Sequence, residues 1–245
     1  MPTGFLLLAA IGVVTAVAAA LAMRVAGAQA GVARRLAGPV QMRVGELLDG
    51  DLPERAVRVA GRIRCSEPLR TPDGDRLVAF HRDVEVRVAG RWRPIERLRE
   101  TRSFELWDDD GSLTLDPADA AEPLIVIPGV WRGSPDALEE PHAGAVARVA
   151  EQEGPITEAR AVNRTIAVSD RLLVLARVER DGAGVVRLVP PPGGYLITNL
   201  ALADAMRLLG GPHRRVLAAA IVGLVVGAAA TVIGLIGAAA TWLIA

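Results

Sequence analysis

VLAAAIVGLVVGAAATVIGLIGAAATWLIA, residues 216–245, runs for thirty positions without a charged side chain. At about 1.5 Å per residue a helix of that length more than spans the ~30 Å hydrocarbon core of a bilayer. A soluble protein has little use for so long a helix with no polar face. The stretch therefore predicts a transmembrane helix over 216–240, or as far as 245, either tilted or projecting at its end. Trp242 suits the far interface. Gly223, Gly227 and Gly234 recur on one helical face, and Gly223 with Gly227 forms a G-x-x-x-G pair. That spacing lets another helix approach closely in lipid, either the first helix or the same helix of another copy.

Working outward, the other end of the chain has the same texture. Residues 4–23, GFLLLAAIGVVTAVAAALAM, are again uncharged. A cleaved secretory signal is the competing reading, and Ala28-Gln29-Ala30 resembles a cleavage site. However, no Lys or Arg precedes Phe5, and the apolar run exceeds a normal signal core. An uncleaved anchor is expected. All 28 basic and 28 acidic residues lie between Arg24 and Arg215, and every basic residue is Arg. Arg24, Arg34 and Arg35 follow the first span, while Arg214 and Arg215 precede the second. Basic flanks stay cytoplasmic, and such residues also meet lipid headgroups. The expectation is a two-pass protein of the cell membrane, with its soluble part in the cytoplasm and the lipid bilayer as its first partner.

The middle is polar and formally uncharged overall, which gives no reason to expect a nucleic-acid partner. Residues 24–44 read as a juxtamembrane helix extension or tether. From Ala56 the pattern alternates: Val57, Val59 and Ile63 are apolar while Arg58, Arg62 and Arg64 are charged. Period-two alternation marks a half-buried strand. Further strands are expected over 77–88, 103–107, 112–115, 124–127, 159–168, 171–179, 185–189 and 195–197. Asp108-Asp109-Asp110-Gly111 makes a hairpin turn. Residues 132–144 read as a loop, residues 142–153 as a short helix, and Asn199 as the cap of another. The predicted fold class is a membrane protein whose β-rich domain, barrel-like and mainly antiparallel, spans residues 45–210. One or two short helices accompany the strands, and a transmembrane helix stands on either side.

Few residues offer chemistry. Cys65 is the sole cysteine and has only His81 near it in sequence, so a small half-buried thiol is the expected role. The triple aspartate lacks the alternating ligands of a calcium loop. His81, His142 and His213 have no ligand spacing and read as surface or juxtamembrane side chains. Trp92, Trp107 and Trp131 read as core or rim residues. Trp92 and Trp131 are candidates for an interaction surface. No catalytic, cofactor-binding or metal-ligating residue is predicted.

The ordered middle resembles the GIDE, or "beside a membrane", domain family. Val59-Ala60-Gly61-Arg62, then Glu67-Pro68-Leu69 and Pro72, are similar to its opening. Phe80-His81-Arg82-Asp83-Val84-Glu85 resembles its "y-r-x-x-v-E" strand, with Trp92 following. Phe104-Glu105-Leu106-Trp107-Asp108 with Gly111, and Gly194-Tyr195-Leu196-Ile197, resemble its later strands. The likeness covers roughly residues 45–210 and the helix–domain–helix plan of prokaryotic-type members. It implies a membrane-anchored interaction or sensing module, partnered by another membrane or cytoplasmic protein, with a homo-oligomer through the second helix as a further expectation. The mitochondrial ubiquitin-ligase members of that family add a RING finger, which needs about eight Cys or His ligands. One cysteine and three histidines cannot supply them. An E3 ubiquitin ligase-like role with a catalytic domain on another chain is therefore the alternative, and the reading leans against an enzyme.

Overall fold

The computed structural model describes residues 2–117, 124–138 and 142–244. It gives side chains for these except at 2, 25, 26, 28, 29, 211–215, 217, 243 and 244. The chain forms two compact units, residues 1–38 with 206–245, and residues 39–205.

The first unit is a pair of helices. Helix α1 spans Pro2–Ala37 and helix α4 spans Leu202–Ile244. Both contain a stretch long and apolar enough to cross a membrane, Thr3–Arg24 and Ala218–Trp242. Of the two readings of residues 24–44, helix extension or tether, the structure shows the helix extension as far as Ala37. Residues 24–37 continue α1 without interruption. They are rich in Ala and Arg, both strong helix formers.

Within this pair, α1 and α4 run antiparallel with almost no side chain between them. A Cβ on Gly227 would stand 2.8 Å from the Gly12 carbonyl oxygen and from the Ala16 nitrogen. One on Gly234 would stand 2.6 Å from the Ala9 nitrogen, and one on Gly12 would stand 2.7 Å from the Gly227 carbonyl oxygen. Gly223 is looser, with the Ala19 methyl 3.4 Å away. Between two apolar helices, van der Waals contact is the main attraction. Such contact grows as the backbones approach. The Thr231 hydroxyl, set in this seam, donates to the Gly227 carbonyl of its own helix at 2.8 Å. This satisfies the hydroxyl that the seam encloses.

The second unit holds two sheets. Its elements in order are β1 (Gln41–Met42), α2 (Val44–Asp49), β2 (Val57–Arg64), β3 (Leu69–Arg70), β4 (Arg76–Val88) and β5 (Arg91–Thr101). Then come β6 (Phe104–Asp108), β7 (Gly111–Leu115), β8 (Gly129–Gly133), α3 (His142–Glu153), β9 (Ile156–Ala167), β10 (Arg171–Arg180), β11 (Val186–Val189) and β12 (Leu196–Thr198). Strands β2, β6, β7, β11 and β10 pair in that sequence, and β10 returns to pair with β2. The ring is a closed five-stranded barrel. Counting only its own strands along the chain, the order is 1-2-3-5-4-1, with a parallel contact between β7 and β11. This is the connectivity of an OB-type Greek-key barrel. Short β1 pairs with β2, and short β12 pairs with β10.

The alternation read from sequence faces the barrel core. Val57, Val59 and Ile63 from β2 meet Leu106, Leu113, Leu172, Val174 and Tyr195, all buried. Helix α2 contributes Val44 and Leu47 to the same core. The triple-aspartate turn fixes that helix. Asp108 Oδ2 accepts the Val44 amide at 3.1 Å, and Asp108 Oδ1 accepts the Asp110 amide at 2.9 Å. Gly111 sits at φ +154°, and a Cβ there would run into the Leu48 side chain.

The second sheet is built entirely from two insertions into the barrel. Strands β3, β4 and β5 lie between the first and second barrel strands, while β8, α3 and β9 lie between the third and fourth. Strands β4 and β9 pair along eleven positions, with β3 and β5 beyond β4 and β8 beyond β9. Val78, Ala79 and Ile166, at one end of β4 and β9, reach into the barrel core. At the other end Val84, Val86, Val88, Ala159 and Ala161 form a smaller core, packed by Val146 and Val149 of α3.

Several expectations need correction. The strand expected over 124–127 is only one bridge, Ile125 with Thr198, and Ile127 is 72% exposed. The loop expected over 132–144 begins inside a strand, since β8 lies at 129–133. Strand β5, at 91–101, has no counterpart among the expected strands. His81 and His142 are buried rather than at the surface. His81 lies on β4, flanked by paired strands on both sides. His142 Nε2 faces Glu96 Oε2 at 3.1 Å.

Candidate interaction surface

The face of the second sheet away from α3 carries charge where its other face carries valine. Cross-strand register determines which residues share it. Asp83 stands beside Arg97 of β5 and Val162 of β9, and Glu85 beside Pro94 and Arg160. His81 stands between Arg99 and Arg164, and Arg87 between Trp92 and Glu158. On β8, Val130 is opposite Val162, and Arg132 is opposite Arg160. Six arginines therefore meet three carboxylates on this face among the described residues.

The carboxylates are clamped. Asp83 Oδ1 accepts from Arg99 Nη2 at 2.6 Å, and Asp83 Oδ2 from Arg164 Nη1 at 2.9 Å. Burial pushes the Asp83 carboxyl up. The two guanidinium hydrogen bonds and their charges outweigh burial and hold it below the ordinary value of 3.8. Glu85 accepts a hydrogen bond from Arg160 Nε, and Glu158 faces Arg87 at 3.5 Å. The Arg160 guanidinium also lies over the Trp92 ring, 4.3 Å from its centroid. Between these groups is an open depression of about 580 Å³ floored by Asp83, Val162 and Pro94.

Trp92 and Trp131 thus come to lie in one sheet, near opposite edges and on opposite faces. Trp92 joins the arginine face. Trp131 pairs with Ala161 on the α3 face and is 38% exposed. The third candidate aromatic, Trp107, lies outside the barrel beneath Arg62 and Arg64, at 6.0 and 5.2 Å. The remaining candidates are placed as follows. Arg24 and Arg34 are exposed on α1 and Arg35 is half-buried. The side chains of Arg214, Arg215 and His213 lie outside the described residues. Gly223, Gly227 and Gly234 face α1, as described above. Cys65 is buried in the barrel core, its thiol 3.5 Å from the Ser103 carbonyl oxygen.

Sequence reading missed the Asp83–Arg99–Arg164 cluster and the edge strand β8. The signal for the cluster was present as alternation: Arg97 and Arg99, then Arg160 and Arg164, each two or four apart. What no local pattern supplied was the pairing of β4 with β9, which sets Asp83 between them. Compared with family models, curated proteins and solved structures, the chain matches none of them.

Proposed function

We propose that this chain is a two-pass membrane protein that holds its β-rich domain at the cytoplasmic face of the cell membrane as a non-catalytic interaction or sensing module of the GIDE type. The observation that carries the reading is the second sheet. Two separate insertions build it, one face is committed to a core, and the other is left open with paired arginines and carboxylates beside an exposed edge. Such a surface is open, charge-laced and cross-linked by ion pairs, which suits recognition of a macromolecule. The seam of Gly12, Gly227 and Gly234 supports a stable helix hairpin as the anchor.

The reading makes two demands. The chain should stay in the membrane pellet on alkaline extraction, and a reporter fused after residue 245 should be active only on the outer side. A C-terminal reporter active in the cytoplasm would reverse the orientation. Cys65 is a poor topology probe, because its burial shields it from reagents on either side. Capture from native membranes should recover a stoichiometric partner with the full chain. The partner should be lost when residues 39–205 are exchanged for an unrelated domain. Equal recovery with both would remove the domain from the function.

A further inference from the structure

We propose that the outer edge of β8 is a docking strand for an extended segment of a partner protein, one that sets apolar residues beside Trp131 and an acidic residue beside Arg132. The inference rests on the interaction-module reading and locates where that interaction occurs.

Edge strands present unpaired amides and carbonyls, and proteins normally blunt them. The two outer strands of this sheet differ in that respect. Strand β5 contains Pro94, an irregular step in its pairing with β4 near Ile95, and four arginines. Each of these discourages a further strand. Strand β8 has no proline, no irregular step and one charge, Arg132. No described strand pairs with its outer side. Its side chains are unusually bare for their type: Val130 is 54% exposed and Trp131 38%, with Ile127 just before them.

Charge selects the occupant. A strand added to β8 would alternate between the two sheet faces. Its residue beside Trp131 would turn to the α3 face, next to an indole. Its residue beside Arg132 would turn to the arginine face, where Arg160 stands one strand further in. That face carries twice as many arginines as carboxylates, and Arg132 makes no ion pair among the described residues. A basic segment would meet repulsion and a neutral one would gain the main-chain ladder alone, whereas an acidic one would gain charge pairs as well as main-chain hydrogen bonds. A second copy of this chain is a poorer match. Antiparallel pairing of two β8 strands about Trp131 would place each Arg132 beside Val130 of the other copy and bring two arginine faces together.

The test uses the full chain in lipid nanodiscs and a fluorescein-labelled peptide of alternating Glu and Val, read by anisotropy. Saturable binding is expected. Reversing the charge with Arg132→Glu should weaken binding by about tenfold, the product of losing an attractive cross-strand pair and gaining a repulsive one. Methylating alternate peptide amides should abolish binding, since it removes the donors of the ladder. An alternating Lys-Val peptide should not bind. Melting of the variant, compared with the unaltered chain, confirms that the exposed substitution leaves the fold intact. No binding, or binding indifferent to Arg132→Glu and to amide methylation, overturns the proposal. So does a disulfide-linked homodimer formed through Trp131→Cys in the absence of peptide, because a second copy would then hold the edge. If the captured native partner persists with Arg132→Glu, the interaction reading stands and this site for it falls.

Discussion

In the barrel, β10 returns to pair with β2, and the strands that form the ring leave no open edge between them. In the second sheet the ladder ends at β5 and β8, one face meets α3, and the other meets solvent. Alternating strands occur in both, β2 in one and β4 in the other, so the difference lies in closure. A closed ring satisfies its backbone internally and concentrates its apolar side chains in one core, which makes it a structural base. An open sheet keeps hydrogen-bonding groups and a charged face available. Stability should therefore reside mainly in the barrel, and recognition in the insertions carried on it. Substitutions in the two regions test that division.

The largest effect should come from the barrel core. Leu106 is fully buried among Val59, Leu113 and other barrel residues. Leu106→Ala should cost about 3 kcal/mol, through lost transfer energy and a cavity. The measurement is chemical denaturation of the detergent-solubilised chain. A cost below about 1 kcal/mol would mean that the barrel is not the base. Next comes the hairpin of the barrel's second and third strands. Gly111→Val imposes a β-branched residue at φ +154° and drives a side chain into Leu48 of α2. Strain and displacement together should cost about 2 kcal/mol. Gly74→Val is the control, because Gly74 also has positive φ, at +87°, but nothing lies within 4 Å of its missing Cβ. It should suffer only the backbone penalty of about 1 kcal/mol. Equal losses at both positions would show that α2 does not press on the turn.

The barrel was also the more legible region in the sequence. Val57, Val59 and Ile63 alternate because one side faces a core and the other faces water, and Asp110-Gly111 marks its hairpin by local turn chemistry. The closing contact was not legible. Strand β10 meets β2 across more than a hundred residues of sequence, and no local pattern encodes that distance. In the second sheet legibility failed for a different reason. Strand β5, Arg-Trp-Arg-Pro-Ile-Glu-Arg-Leu-Arg-Glu-Thr, is largely exposed or half-buried, so its apolar residues do not alternate. Strand β8 is short, glycine-ended and exposed. A pattern that reports burial is silent where strands stay in contact with solvent. The apolar run Leu124 to Ile127 misled in the opposite direction, because Leu124 and Val126 fill the barrel core with almost no ladder.

The smallest effect should come from the open sheet, and pH resolves it. Asp83 holds Arg99 and Arg164 together on the arginine face, and its folded-state pKa lies below the ordinary 3.8. A depressed carboxyl contributes stability that is fully present above the unfolded-state pKa of about 3.9 and is lost as pH falls through the lower folded value. Asp83→Asn removes that contribution at every pH and leaves two half-buried guanidinium groups facing each other. The variant should be less stable than the unaltered chain by about 1 kcal/mol at pH 7. The gap should begin to close only below about pH 4, as protonation strips the unaltered chain of the same interaction. Amide hydrogen exchange locates the loss. Strands β4, β5 and β9 should exchange faster in the variant at pH 7, while β6, β7 and β11 of the barrel keep their protection. A gap that stays constant from pH 7 to below 3 would mean that ionised Asp83 does not supply it. Equal acceleration in β6 and β7 would mean that sheet and barrel unfold as one, and the division between base and recognition surface would have to be abandoned.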